Sequence, residues 1–296
     1  MKTAIGIDLG GTVVKGILIR EGGEIMQQHY ISTRDDQEGL WRKNVLEMVS
    51  YLRALADEPV EVIGLSAPGL PDQNNACIAH LPNRLHGLEN FNWGAYFGQK
   101  TYVINDAHAA LMAEARFGSA KDYKNALLLT LGTGVGGGIM LNGELHQGLS
   151  QMAGHLGHIS LNTGDDEESI LGIPGSLEYA IGNYSIKRRS RGQYESTLDL
   201  VEAYRKGDHY ATWLWLDSVR KLAVALSSLI NLLSPEIIVL AGGITLADKD
   251  LYEPLTRFLD LYEFRPAGKT TLIRQAQFGD LAGAIGAAGF ALNKIS

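Results

Sequence analysis

Three short glycine strings, each close behind an apolar run, constrain this chain more than any other feature. Gly10-Gly11-Thr12 follows the run that starts at residue 4, Gly132 to Gly138 follows residues 126–131, and Gly242-Gly243 follows residues 236–241. A strand that ends in such a turn presents backbone N–H groups around a concavity, and that arrangement holds anions. Glycine adds close approach of the ligand to the main chain and access to φ values that other residues avoid. One glycine turn says little, because most merely connect strands. Three in the same context point to a triphosphate.

The rest of the chain is organised around these strings. Residues 4–20 predict a β-hairpin with Gly-Gly-Thr at its tip. A helix is expected over about residues 37–56, with Leu40, Trp41, Met48, Leu52 and Leu55 near one face. A strand at 62–65 runs into Ser66-Ala67-Pro68-Gly69. Another at 101–104 leads to Asn105-Asp106 and an alanine-rich helix that ends near Phe117, with Gly118 as its C-cap and as a hinge candidate. The pattern then starts again: strand 126–131, a turn over 132–138, strand 139–141 and a hairpin signal at Asn142-Gly143. Helices are expected over about 195–206 and 209–233, a buried strand at 236–240 and a last helix over 281–293. A duplicated α/β unit with two glycine hairpins is the economical reading.

Two competing phosphate motifs are excluded. Residues 132–137 satisfy Gly-x-Gly-x-x-Gly, but a dinucleotide site needs a helix immediately afterwards, and here a strand follows. No Gly-Lys-Ser/Thr tripeptide is present for a Walker A loop. The net charge of -7, without runs of like charge, argues against nucleic acid as a partner. Cys77 is the single cysteine, so neither a disulfide nor a cysteine metal cluster forms within one chain. Asp8 interrupts the first apolar stretch, and residues 211–233 include Asp217, Arg220 and Lys221. Neither segment reads as a signal or a membrane span, and the cytoplasm is the expected compartment.

Two carboxylates stand next to these elements. Asp8, just before the first glycine turn, is placed to reach Mg²⁺ on a nucleotide; the competing reading is a turn-stabilising residue. Asp106, between a strand end and a helix start, is placed to act as a base toward an alcohol; the competing reading is a helix cap, a job that Asn105 would do as well. Lys15 reads as an exposed strand lysine.

These strings, in this order, resemble the ROK family of sugar kinases and related repressors, within the hexokinase–Hsp70–actin ATPase superfamily. The resemblance is carried by residues 7–12, Ala67-Pro68-Gly69, Pro82-Asn83, Asn105-Asp106-Ala107, residues 131–138, Gly154-His155-Leu156-Gly157-His158, Gly172 to Glu178, residues 239–243 and residues 283–288. It implies an α/β, two-domain actin-like ATPase (ribonuclease H-like) fold with ATP and sugar in the interdomain cleft. The expected division is a smaller domain of residues 1–117, completed by the helix from about 281 to 296, and a larger domain of residues 118–280. The resemblance also implies ATP-dependent phosphorylation of a sugar hydroxyl, commonly the 6-hydroxyl, with Asp106 as base. Asn83, Asn105, His155, His158 and Glu178 match sugar-side positions. Asp8, Gly10, Gly11, Thr12, Gly132, Thr133, Gly134, Gly242 and Gly243 match the ATP side, with ATP and Mg²⁺ as cofactors. The partners implied are ATP and a small sugar, with no membrane, and a homodimer is expected.

The chain also departs from the family. His155 stands where many members carry glutamate, and a neutral imidazole accepts one hydrogen bond where a carboxylate accepts more. Ser169, Leu171 and Ser176 replace the cysteines of the family's zinc loop, so no structural zinc is expected. His108 replaces a frequent asparagine and reads as helix surface or cleft rim. The alternative function is a sugar-responsive regulator or sensor without catalysis. The family's repressors carry a helix-turn-helix region before the first glycine string, and seven residues before Asp8 leave no room for one.

Overall fold

The computed structural model describes residues 2–34, 39–81, 84–162, 164 and 166–295. Asn83, an expected sugar contact, and Gln37, the expected start of the first helix, lie outside the described residues. The chain divides into two compact units. The first holds residues 1–123, 144–153 and 276–296, and the second holds residues 124–143 and 154–275.

The sheet of the first unit has five strands in the order Ile25–Ser32, Val13–Arg20, Thr3–Leu9, Val62–Ala67 and Thr101–Asn105. The first three are antiparallel, and the last two add in parallel. The two-residue period of a strand sorts its side chains. Ile5, Ile7 and Leu9 join Ile63, Leu65 and Ala67 in a core under the helix Leu40–Ala54. That helix buries Trp41, Val45, Met48, Val49 and Leu52, the stripe expected of a 3.6-residue period. Leu55, expected on the same stripe, is exposed because the last helical turn closes before it.

The alternate positions of these strands, Gly6, Asp8, Gly64 and Ser66, belong to the other face, where the C-terminal helix Ala282–Asn293 packs. A Cβ at Gly6 would strike the carbonyl of Ala284, and one at Gly64 the carbonyl of Ala287. Gly286 meets the carbonyl of Ala109 on the helix Asp106–Phe117 in the same way. Backbone therefore lies on backbone, a contact that only glycine permits. Gly118 caps the helix Asp106–Phe117 as expected, its N–H donating to the carbonyl of Glu114. Its φ is −117°, so space and not handedness requires glycine: a Cβ would meet the Glu114 carboxylate and the Phe278 ring. Glu114 is fully buried and accepts the N–H groups of Ser119 (2.8 Å), Gln277 (2.7 Å) and Phe278 (3.2 Å).

In the second unit the strands Val135–Leu141, Ala126–Leu131, Ile237–Ala241 and Leu272–Gln275 pair in that order. The first pair is antiparallel and the others are parallel, which repeats four strands of the first unit. The core is built on the helix His209–Leu233, whose Leu214, Trp215, Leu222 and Leu226 pack with Leu127, Leu129 and Leu240. The glycine turn is shorter than expected. Gly136, Gly137 and Gly138 pair with Thr130, Leu129 and Leu128, so they belong to a strand and the turn is 132–134 alone. Gly137 is glycine because a Cβ there would press on the carbonyls of Gly154 and Leu128. Among the described residues, no helix is long and apolar enough to cross a membrane.

Candidate active site

The first unit gathers Asp8, Gly10, Gly11, Thr12, Asn105 and Asp106. Asp8 lies across the parallel pair from Ser66, whose hydroxyl donates to Asp8 Oδ1 at 2.9 Å. The carboxylate is 17% exposed, and Gly283 of the C-terminal helix approaches so closely that a Cβ there would lie 2.5 Å from Asp8 Cγ. Burial is the main reason that its pKa is raised to about 6; the Asp106 and Asp280 charges add to the rise, while the Ser66 hydrogen bond and Lys15 oppose it. Lys15 is not the free strand lysine the sequence suggests. It is 22% exposed, donates to the Asp280 carbonyl at 2.7 Å and lies 4.0 Å from Asp8 Oδ2.

Above Asp8 the Gly10 N–H donates to the carbonyl of Val13, and the Thr33 hydroxyl donates to the carbonyl of Gly10. The Gly11 and Thr12 N–H groups have no acceptor among the described residues. Asn105 is buried at the N-cap of the helix Asp106–Phe117. Its Oδ1 accepts from Ala107 (3.0 Å) and His108 (3.4 Å), and its Nδ2 donates to the Gly69 carbonyl at 3.0 Å. Asp106 is exposed and accepts from the Ala107 N–H at 2.8 Å. His108, expected at the surface, is fully buried with Nε2 2.8 Å from the Ala153 carbonyl oxygen.

The second unit holds the remaining described positions. Gly132 donates to the carbonyl of Gly134, and the N–H groups of Thr133 and Gly134 have no acceptor among the described residues. Gly134 sits against the carboxylate of Glu178, which is buried and accepts the N–H groups of Val135 (3.0 Å) and Ile170 (3.1 Å). Glu178 therefore braces the turn. The His155 and His158 rings stack at 6.3 Å between centroids, and the buried His158 Nδ1 has no hydrogen-bond partner among the described residues.

A cavity of about 480 Å³ opens beside this turn, lined by Gly132, Thr133, Gly243 and Ile244 together with Val201 and Arg205 of the helix Thr197–Arg205. Leu198 and Leu246, 64% and 75% exposed, also stand on its wall. Gly242 is glycine for a structural reason, since its φ is +92° and a Cβ would strike Leu131. Gly132 and Gly243 have no such reason. Neither has a positive φ, a Cβ on either would meet nothing within 4 Å, and both line the cavity. Sequence reasoning missed Asn183, Ser196, Val201 and Arg205 on the wall; the helix over 197–205 was legible, but nothing marked it as facing a ligand.

A model of the ROK family matches residues 4–294. The chain belongs to the ROK family. It is 29% identical over 273 residues to a glucokinase of Thermotoga maritima, covering 85% of each chain. It is 31% identical over 298 residues to an N-acetylmannosamine kinase of Haemophilus influenzae, covering 96% of this chain and 93% of the relative. The crystal structure of a ROK hexokinase from Thermus thermophilus matches with a TM-score of 0.87 at 28% identity, covering 99% of each chain. The fold is thus the two-domain actin-like ATPase fold, and the enzyme class is ATP-dependent sugar kinase.

In the loop over residues 169–176, two serine hydroxyls hold the backbone. Ser169 Oγ accepts the N–H groups of Leu171 and Ile173, and Ser176 Oγ caps the helix Leu177–Ile181 by accepting from Tyr179. The glycine frame persists for steric reasons: Gly175 has φ +61°, and a Cβ there would strike the Asn162 carbonyl. These side chains do not fit zinc, and no group of three His, Cys, Asp or Glu among the described residues is placed to hold a metal ion. The oxygen donors of Asp8 do fit Mg²⁺ carried by a nucleotide, which takes few protein ligands.

Proposed function

We propose that this ROK protein transfers the γ-phosphoryl group of ATP to a hydroxyl of a hexose-type sugar, the 6-hydroxyl, with Asp106 as the general base. The observation that carries the reading is the division of labour at residues 105–106. Asn105 performs the N-capping and is buried doing so, which leaves the neighbouring carboxylate exposed at the helix start. A sugar alcohol is a weak nucleophile, and a positioned carboxylate removes its proton as the in-line attack proceeds.

The N–H groups of Gly11, Thr12, Thr133 and Gly134 are the donors for phosphate oxygens, and the cavity beside Gly132 and Gly243 takes the nucleoside. Asp8 would hold Mg²⁺ carried on the nucleotide, and the ion would supply charge neutralisation on the phosphates. Asn83, Asn105, His155, His158 and Glu178 are the proposed sugar contacts. Glucose and N-acylated hexosamines are the first substrates to test, by analogy with the relatives' activities. His155 narrows the hydrogen bonds offered to them, because a neutral imidazole has one acceptor.

In the test, Asp106→Asn is assayed with the best substrate from a panel of these sugars. We expect kcat to fall by roughly 10²–10⁴-fold with sugar affinity by calorimetry nearly unchanged. Near-normal turnover by the variant would remove Asp106 from the role.

A further inference from the structure

We propose that Arg84 binds the transferring phosphoryl group at the first glycine turn, an assignment that rests on the sugar-kinase reading and adds a catalytic cation to it. The starting point is Gly11. It has no positive φ, and the close atoms that a Cβ there would meet belong to Arg84: Nη2 at 2.6 Å and Cζ at 3.7 Å. The guanidinium therefore lies over the turn whose Gly11 and Thr12 N–H groups lack an acceptor among the described residues. The guanidinium itself has no hydrogen bond or ion pair to any described residue. Among the described residues, an arginine without a partner thus lies beside two backbone donors that are also without an acceptor, and a phosphoryl group has three oxygens to accept their hydrogen bonds.

The backbone that carries Arg84 is pinned. Leu85 is buried at φ +46°, a conformation that costs a branched residue about 1–2 kcal/mol and persists only where its surroundings fix it. The next residues are tied to the helix Leu40–Ala54: Trp41 Nε1 donates to the His86 carbonyl at 3.4 Å and Arg42 to the Gly87 carbonyl at 2.8 Å. A long side chain on a fixed backbone is aimed before the ligand arrives, which limits the ordering cost of binding.

Charge leads to the same place. Asp8 senses both Asp106 and Asp280, so three carboxylates surround this end of the first unit. Lys15 is already committed to Asp280 and Asp8. An anion with charge spread over its equatorial oxygens would be repelled there without a further cation. A planar guanidinium matches two of those oxygens at once and stays charged at any working pH.

The test compares the whole protein with Arg84→Met, which keeps the apolar stem, and Arg84→Lys, which keeps the charge and loses the fork. Calorimetric titration with AMP-PNP and with adenosine is run beside steady-state kinetics. Arg84→Met is expected to lower kcat by roughly 10²-fold, below the effect of the strongest arginine fingers. It should weaken AMP-PNP by about 10-fold and leave adenosine unchanged, since the lost contact is to phosphate. Arg84→Lys should recover only part of kcat, and guanidinium ion at millimolar concentration should restore part of the activity of Arg84→Met. Arg84→Met with kcat and AMP-PNP affinity within twofold of wild type would overturn the proposal. Should Arg84→Met fail to fold, Arg84→Lys decides, because a role limited to covering Gly11 leaves the lysine variant at wild-type kcat. If the wild-type protein phosphorylates no sugar, the kinase reading fails, while the AMP-PNP and adenosine titrations still judge Arg84.

Discussion

Asp8 and Thr130 hold the same place in two hairpins, each two residues before the first glycine of its turn. Both hairpins are the antiparallel edge of a sheet that continues in parallel. Leu9 faces Val14 across residues 10–13, whereas Leu131 faces Val135 across 132–134, so the second turn is one residue shorter. Under the second turn, Thr130 Oγ1 accepts the Gly136 N–H at 3.0 Å and serves its own strand. Under the first, Asp8 keeps a carboxylate in a place that resists its charge. Topology supplies both turns with backbone donors, and the side chain beneath each differs: a neutral hydroxyl under one and a carboxylate under the other. In the first hairpin that carboxylate is kept in a place that opposes its charge.

The largest expected difference comes from exchanging those two side chains for neutral isosteres. Asp8→Asn should lower kcat by roughly 10²–10³-fold through loss of the metal-side charge, measured at saturating ATP and Mg²⁺. Thr130→Val should cost about 1 kcal/mol of stability for the lost hydrogen bond and change kcat less than about tenfold. Equal losses of activity in the two variants would erase the contrast.

The turns themselves separate next. Gly134→Ala forces a methyl group onto the Glu178 carboxylate and should destabilise the protein by about 1–3 kcal/mol in chemical unfolding. Gly132→Ala meets open space, so its unfolding midpoint should hold while nucleotide affinity drops about tenfold. A Gly132→Ala protein that binds AMP-PNP normally would move the phosphate site away from this turn.

The smallest effect is a stability difference that depends on pH. The Asp8 pKa rises from its ordinary 3.8 to about 6 on folding, so the folded state binds this proton more tightly than the unfolded chain does. The resulting penalty is fully present above about pH 6 and disappears below about pH 4. Without nucleotide or Mg²⁺, Asp8→Asn should be more stable than wild type by about 1–2 kcal/mol at pH 7.5, and the gap should close by pH 4. A gap that stays constant with pH would mean that the carboxylate is not strained by its site.

What could be read in the sequence was what is local. The Gly10 turn between two apolar runs, the cap at Asn105 and the Asn142-Gly143 turn are short-range signals; Asn142 and Gly143 do take φ of +54° and +83°, the pair that a tight hairpin of native twist demands. The misreadings come from pairing and packing that no short string of residues marks. Gly136 to Gly138 look like turn residues until their pairing with residues 128–130 makes them strand. His108 looks like a surface position until the carbonyl of Ala153 covers it. Glu114 carries no motif, yet it gathers N–H groups from residue 119 and from residues 277 and 278. The cavity wall at Asn183 and Val201 is assembled by the packing of helices against the second sheet, and no spacing in the sequence encodes it.

The bed of glycines under the C-terminal helix bears on the order in which the molecule can be made. Strand Thr3–Leu9 leaves the ribosome well before the helix that covers Gly6 and Gly64. At translation speeds of about 5–20 residues per second, one face of the nascent sheet waits roughly ten seconds to a minute for its cover. The second unit, whose segments all emerge before residue 276, is free to fold within that interval. The unit that holds this early strand is therefore completed only after the helix Ala282–Asn293 has emerged, later than the second unit.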